Sequence, residues 1–114
     1  MNTLKLDIKE LEIDEKQNEI SVRDYDRYFD FNETFKTNII LPPNSQYRTI
    51  TFSEVTSPFG LVIVSDKLIN VLVNGFEIAN TKMLLLNTNI DSLQIANVDL
   101  LEANVSVFIW GIQK

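Results

Sequence analysis

The dipeptide Asn74-Gly75 constrains the fold of this 114-residue chain more than any other local feature. It lies in the stretch INVLVNGFEIA, residues 69–79, between two short runs in which apolar and polar residues alternate. Alternation with a period of two residues predicts strands that bury one face, and Asn-Gly suits the two left-handed backbone positions of a type I′ turn. The stretch therefore predicts a two-residue β-hairpin.

Similar alternation continues along the chain after residue 35, interrupted by glycine, proline, asparagine or aspartate. The prolines in PPNS, residues 42–45, and in Ser57-Pro58 favour breaks, because proline cannot donate a hydrogen bond within a sheet. We place strands near residues 36–41, 47–53, 60–65, 69–73, 76–79, 82–86, 92–97 and 104–110. Successive short strands in a chain of one-domain length predict a single all-β domain over residues 36–114.

The last predicted strand leaves two interpretations open. In VSVFIW, residues 105–110, Phe108 and Trp110 lie on one face, and valine and isoleucine side chains occupy the other. The strand is therefore either buried on both faces, or it presents Phe108 and Trp110 to a partner. Burial in the core is the more common outcome for such rings in a small domain.

Residues 1–35 differ in composition from the rest of the chain. They contain 10 acidic and 5 basic side chains, and so carry most of the formal net charge of −6. In LKLDIKELEID, residues 4–14, the apolar alternation shifts register at Glu10. This segment is predicted to be either an extended N-terminal arm or a set of additional strands.

Large apolar side chains in two places predict a partner-binding surface. The stretch YDRYFDFNETF, residues 25–35, contains five aromatic side chains among acidic ones. Contiguous apolar groups of this density are typical of contact surfaces, and one small core does not easily cover so many large side chains. The candidate partner-binding residues are Tyr25, Tyr28, Phe29, Phe31, Phe35, Leu100, Leu101 and Trp110.

No residue pattern predicts catalysis, a cofactor or a metal site. The chain contains no histidine and no cysteine, which excludes a histidine base, a thiolate nucleophile, a disulfide and a cysteine-ligated metal. Asp24, Asp26 and Asp30 lack the glycine turn of an EF-hand loop, and the three glycines are too isolated to form a phosphate-binding loop. We therefore predict that the protein is not an enzyme.

Charge and hydropathy narrow the class of partner. A net charge of −6 disfavours nucleic acid, because affinity for phosphates depends on lysine and arginine. No apolar run approaches the roughly 20 residues that span a membrane, and the first residues do not form a signal-peptide core. We expect no nucleic-acid partner, no membrane partner and synthesis in a cytoplasm.

Three stretches resemble small β-sandwich structural proteins of tailed-phage virions. They are SDKLINVLVNG at residues 65–75, MLLLNTNIDSLQIAN at residues 83–97 and NVSVFIWG at residues 104–111. The first is similar to a family stretch in which a Ser-Asp pair precedes a strand that ends at Asn-Gly. The second is similar to the family's apolar strand, polar turn and Ile-rich strand, and the third is similar to its terminal strand. The chain departs from the family at DLLE, residues 99–102, and throughout residues 1–35, and both departures lie where a partner could bind.

The resemblance implies that residues 36–114 form an antiparallel, jelly-roll-like β-sandwich. It also implies a non-enzymatic structural protein of a phage virion, such as a head fibre, a head decoration protein or a neck or tail accessory protein. It implies attachment to other virion structural proteins, self-association as a homotrimer, and localisation in the virion after synthesis in the host cytoplasm. Residues 1–35 would then be the docking arm. The alternatives are a carbohydrate- or ligand-binding β-sandwich module, in which exposed aromatic rings stack on the ligand, and an unclassified bacterial structural protein.

Overall fold

The structure is a computed structural model that describes residues 2–112. Within this range, no helix is long and apolar enough to cross a membrane. The strands are β1 (Asn2–Ile13), β2 (Glu19–Phe31), β3 (Glu33–Leu41), β4 (Arg48–Thr49), β5 (Pro58–Val73), β6 (Phe76–Leu86), β7 (Leu93–Asn97) and β8 (Ala103–Gly111). Their pairings are antiparallel. The predicted all-β, antiparallel, sandwich-like fold is confirmed.

The described residues form two compact units, residues 2–31 and residues 32–112. The change of composition along the sequence lies after residue 35 and predicts that Phe35 belongs to the N-terminal segment. In the structure Phe35 lies in β3 and packs against the hydrophobic core of the second unit. Because its ring contributes to that core, Phe35 belongs to the second unit rather than to an arm.

The first unit is a β-hairpin made of β1 and β2, which pair with each other along their whole length. Its turn is organised by Asp14, whose side chain accepts two backbone N–H groups of the turn at 2.9 Å each. The pairing becomes irregular between Glu12 and Ile13, not at Glu10. The extra residue is therefore accommodated beside the turn, where fewer cross-strand pairs are disturbed.

The second unit is a six-stranded sheet with the strand order β3-β8-β5-β7-β4, and β6 also pairs with β5. β5 is 16 residues long and changes partner along its length. Its first part pairs with β8, as in Leu61 opposite Ile109, and its last part pairs with β7, as in Ile69 opposite Asn97. The single strand β5 therefore connects β8 and β3, along its first part, to β7 and β4, along its last part.

The hairpin predicted from Asn74-Gly75 is confirmed. Val73 pairs with Phe76, and the two turn residues have positive φ angles of 53° for Asn74 and 84° for Gly75. The strands predicted at 60–65 and 69–73 join into β5, and those predicted at 76–79 and 82–86 join into β6. The polar residues between the predicted strands do not end the strands. They lie instead at register shifts in the pairing of β5 with β6. The strand predicted at 47–53 is reduced to the two residues of β4.

The core of the second unit is formed by the inward faces of β3, β5, β7 and β8. Alternate residues along β5 and β8 are buried, as the period of two predicts. The largest fully buried side chains are Trp110, Leu41, Leu61, Ile63, Ile69, Ile90, Leu93, Ile95, Ile109, Val71, Val105 and Val107. All of these except Trp110 belong to one hydrophobic core, whose described members lie within residues 32–112.

The structure corrects the assignment of Trp110 to a partner-binding surface. Its side chain is 0% exposed, and its indole occupies the space beside Gly60, where a Cβ atom would overlap the ring. Phe108, on the same side of β8, is half-buried, with its ring centre 5.7 Å from that of Trp110. Of the two interpretations, burial in the core or presentation to a partner, burial is therefore the correct one for Trp110.

Candidate functional site

The hairpin of residues 2–31 has one apolar face and one charged face. Side chains of directly paired residues share a face, and successive residues along a strand alternate between faces. One face, called here the apolar face, carries Leu4, Leu6, Ile8, Tyr25, Phe29 and Phe31. The other, called here the acidic face, carries Asp7, Asp24, Asp26 and Asp30 together with Lys5, Lys9 and Tyr28. This division holds from Leu4 to Lys9, where apolar and charged residues alternate in β1. Beyond Glu10 the apolar positions of β1, Leu11 and Ile13, lie on the side of the acidic face.

Several large apolar side chains of the hairpin are exposed. Ile8 is 37% exposed, Leu11 is 40% exposed and Ile13 is 49% exposed. All three lie in the half of β1 that leads to the turn. Tyr28, on the acidic face, is 63% exposed, and the ammonium group of Lys5 lies 5.8 Å from the centre of its ring. The hairpin therefore presents apolar surface on a strand pair that carries many acidic residues.

Two aspartates oppose each other on the acidic face. Asp7 and Asp26 are direct cross-strand partners, and Lys5 lies 3.5 Å from Asp7. The hydrogen bond with Asp7 raises the pKa of Asp26, while the same bond lowers the pKa of Asp7. Among the described residues, no group of three or more acidic side chains is arranged to hold a metal ion. The two opposed carboxylates therefore differ in how tightly they bind a proton.

A second exposed apolar surface lies between β7 and β8, in residues 98–102, called here the leucine loop. Leu100 is 79% exposed and Leu101 is 61% exposed. Val98, at the start of the loop, and Leu68, in β5, are each 38% exposed. The backbone N–H of Val98 donates to the carbonyl oxygen of Leu68 at 3.3 Å. The start of the loop is therefore joined to β5 through the backbone.

Asn97 fixes the leucine loop from inside the protein. Its side chain is 1% exposed, and its Nδ2 lies within hydrogen-bonding distance of the carbonyl oxygens of Leu41 at 3.2 Å, Pro42 at 3.0 Å and Leu101 at 2.9 Å. Its Oδ1 accepts the backbone N–H of Asp99 at 2.9 Å. A single buried amide thus ties the end of β3 to both ends of the loop.

Asp99 supplies further bonds within the loop. Its Oδ1 accepts the backbone N–H of Leu101 at 3.0 Å, and its carbonyl oxygen accepts the backbone N–H of Asn44 at 3.0 Å. These bonds involve the backbone or buried side chains and leave the side chains of Leu100 and Leu101 at the surface. A segment held in one conformation loses little entropy when it binds. The leucine loop is therefore preorganised for contact.

The surroundings of the leucine loop are acidic. Asp99 and Glu102 lie in the loop. Asp66, in β5, lies beside Asn104, the second residue of β8. Asp66 accepts the backbone N–H of Asn104 at 2.8 Å and its Nδ2 at 3.2 Å, and these bonds lower the pKa of Asp66. Lys67 lies 3.9 Å from Asp66. The loop thus presents leucines beside carboxylates.

The structure brings together some of the predicted partner-binding residues and separates others. Tyr25, Phe29 and Phe31 share the apolar face of the hairpin, and Tyr28 lies on the acidic face. Leu100 and Leu101 lie together in the leucine loop, in the other unit. Phe35 and Trp110 belong to the second unit, where Phe35 packs on the core and Trp110 is buried.

Several residues of these surfaces were not predicted from the sequence. Ile8, Leu11 and Ile13 were assigned to a strand with shifted register or to an extended arm, and were not named as partner-binding residues, although their apolar spacing in β1 was noted. The role of Asn97 was not foreseen, and the sequence contains only a weak signal for it. That signal is the pattern Asn97-Val98-Asp99, in which two residues that can bond to nearby backbone groups precede a leucine pair.

Comparisons with known proteins found no matching family model, no matching curated protein and no matching solved structure. The two surfaces are therefore interpreted from their own chemistry.

Proposed function

We propose that this protein is a non-enzymatic structural protein of a tailed-phage virion that attaches to the particle and associates with copies of itself. The proposal is supported by the resemblance of three stretches to virion β-sandwich proteins. Those stretches correspond to the second half of β5 with its turn, to the end of β6 with β7, and to β8. They supply much of the second unit, and the resemblance implies a homotrimer.

The observation that carries the proposal is the hairpin of residues 2–31, a compact unit of its own with exposed apolar side chains. A two-stranded hairpin is only marginally stable by itself in water. Exposed isoleucine and leucine side chains on such an element favour an attachment arm that gains stability when a partner covers it. The acidic residues around them favour a basic surface on the particle.

Attachment is tested by particle association in a lysate of cells that produce the virion. We expect the wild-type protein to sediment with virions, and immunogold labelling to place it on them. The variant Ile8→Ser/Leu11→Ser/Ile13→Ser should fold and remain in the particle-free fraction. Phe76→Ser is the matched control, because Phe76 is 77% exposed but lies outside the hairpin. Wild-type protein that never sediments with particles would contradict the proposal.

A second candidate function is binding of a carbohydrate. It is favoured by Tyr28, whose ring is 63% exposed and could stack on a sugar. Under this alternative the protein is retained on a polysaccharide resin, and Tyr28→Ala abolishes the retention. Retention that is unchanged in Tyr28→Ala, or absent from the wild type, would exclude this role for Tyr28.

A further inference from the structure

Asn74 is hydrogen-bonded to the loop between β6 and β7. Its backbone N–H donates to the carbonyl oxygen of Ser92 at 3.0 Å, and its Nδ2 donates to that of Asn89 at 2.8 Å. Its Oδ1 accepts the backbone N–H groups of Asp91 at 2.6 Å and of Ser92 at 3.2 Å. The side chain therefore ties the β5–β6 turn to residues 89–92, called here the anchor loop.

The turn does not by itself require this amide. Asparagine, aspartate and glycine all suit the first central position of a type I′ turn, where Asn74 has a φ angle of 53°. Only an amide side chain both donates to a carbonyl oxygen and accepts N–H groups, whereas a carboxylate only accepts. The anchor loop therefore distinguishes asparagine from aspartate at this position.

Asn74 is also the one asparagine of the chain that precedes a glycine. Because glycine has no Cβ atom, its backbone nitrogen is open to reaction with the preceding side chain. In deamidation the nitrogen of Gly75 bonds to Cγ of Asn74 and loses its proton, and the Nδ2 group leaves as ammonia. Water then opens the succinimide ring at either carbonyl, which gives aspartate or isoaspartate.

The anchor loop opposes this ring closure. Closure turns Cγ towards the nitrogen of Gly75 and expels Nδ2, whereas the anchor loop holds both Nδ2 and Oδ1 from a different segment of the chain. Steric cover does not explain protection, because a Cβ atom built on Gly75 would have no other atom within 4 Å. The reaction therefore requires a local opening in which the bonds to the anchor loop are broken.

We infer that Asn74 is a site of spontaneous deamidation that the anchor loop keeps unreactive in the folded protein. The modification is conversion of its side-chain amide to a carboxylate by water, with release of ammonia. It proceeds when the β5–β6 turn separates from the anchor loop, and a carboxylate at this position cannot restore the bond to the carbonyl oxygen of Asn89. The inference does not depend on the proposed function.

The rate of deamidation tests the inference in the full-length chain. We expect Asn74 to deamidate at least about tenfold more slowly in the folded protein than in the same chain unfolded in urea, because the folded chain reacts through a minor open state. Both samples are kept at one pH and temperature, and peptide mass spectrometry measures aspartate and isoaspartate at position 74. Equal rates would overturn the inference. A faster rate in the folded protein would also overturn it, since the N–H groups on Oδ1 would then stabilise the charge that develops during attack.

A proline substitution separates the effect of the anchor loop from that of the turn. Asp91→Pro removes the N–H that bonds to Oδ1 at 2.6 Å and should accelerate deamidation of the folded protein by about fivefold, the effect of one typical hydrogen bond. Asp91→Ala is the matched control, because it removes the same side chain and keeps the N–H.

Ser92→Pro and its control Ser92→Ala repeat the test on the second N–H, and replace the first pair if Asp91→Pro does not fold. Circular dichroism identifies the variants that fold. Folded proline variants that react no faster than their alanine controls would show that the turn alone protects Asn74, and the inference would be wrong. The comparison of folded with unfolded wild-type protein decides the protection itself, whichever variants fold.

Discussion

Gly75 is required at the β5–β6 turn because of its backbone conformation. Its φ angle is 84°, and a Cβ atom built on it would have no other atom within 4 Å. Space is therefore available, and only the left-handed backbone disfavours another residue. We expect Gly75→Val to lower the free energy of unfolding by about 1 kcal/mol or more, because a β-branched residue tolerates positive φ poorly. Gly75→Asn, which tolerates this conformation, should lose less. Equal urea midpoints for the two variants would contradict this explanation.

Asn97 is the residue that shapes the leucine loop. Replacing it by alanine leaves the carbonyl oxygens of Leu41, Pro42 and Leu101 without its amide. We expect Asn97→Ala to lower the free energy of unfolding by about 1–3 kcal/mol, the range for a buried polar group that loses its partner. Hydrogen exchange of loop amides should also accelerate. Asn38→Ala, at an exposed position in β3, is the control and should change neither measurement. An unaltered exchange rate at Leu101 in Asn97→Ala would show that the loop is held by other means.

At the scale of the element, the charged face of the hairpin should respond to pH. The pKa of Asp26 is raised by its bond with Asp7, so the folded hairpin binds this proton more tightly than the unfolded chain. The hairpin therefore gains stability as the pH falls through that raised pKa towards the ordinary value of 3.8. The lowered pKa of Asp7 acts in the opposite direction, and stability is lost below 3.8 as Asp7 is protonated.

The expected observation is a maximum of hairpin protection in mildly acidic solution. Amide exchange in β1 and β2, corrected for intrinsic rates, measures it. Asp26→Asn should remove the gain on acidification, because it removes the titrating group. Glu12→Gln is the matched control, since Glu12 pairs with Ser21 rather than with a carboxylate. Protection that falls steadily from neutral to acidic pH in the wild type would contradict this account.

Elements were predictable from the sequence where a local rule decides their form. Asn74-Gly75 fixes a turn through its own φ angles, and the alternation around it fixes the faces of β5 and β6. The union of two predicted strands into β5 was not predictable, because a register shift depends on the partner strand and not on the strand itself. The burial of Trp110 could not be predicted with certainty for a similar reason, because it depends on the space beside Gly60 in β5. The buried role of Asn97 depends on carbonyl groups far away in sequence, which no local pattern contains.

At the scale of the whole molecule, the distribution of the core predicts which parts of the chain depend on one another for folding. The buried hydrophobic residues that form the core of the second unit run from Ile39 to Ile109. None of them comes from the hairpin residues whose side chains the structure describes. β3 contributes Ile39 and Leu41, and it pairs with β8 along its length. The core therefore depends on β3.

Two truncations test this dependence. A chain that starts at Asn32 should fold cooperatively, with a thermal midpoint close to that of the full-length protein, because it keeps every residue of the core. A chain that starts at Pro42 should be unfolded or aggregated, because it loses Ile39 and Leu41 and leaves the edge of β8 without its partner. Circular dichroism during heating measures both. An unfolded product from the first truncation would show that residues 2–31 are needed for the second unit to fold, and that the hairpin is a structural part of it and not a separable attachment arm.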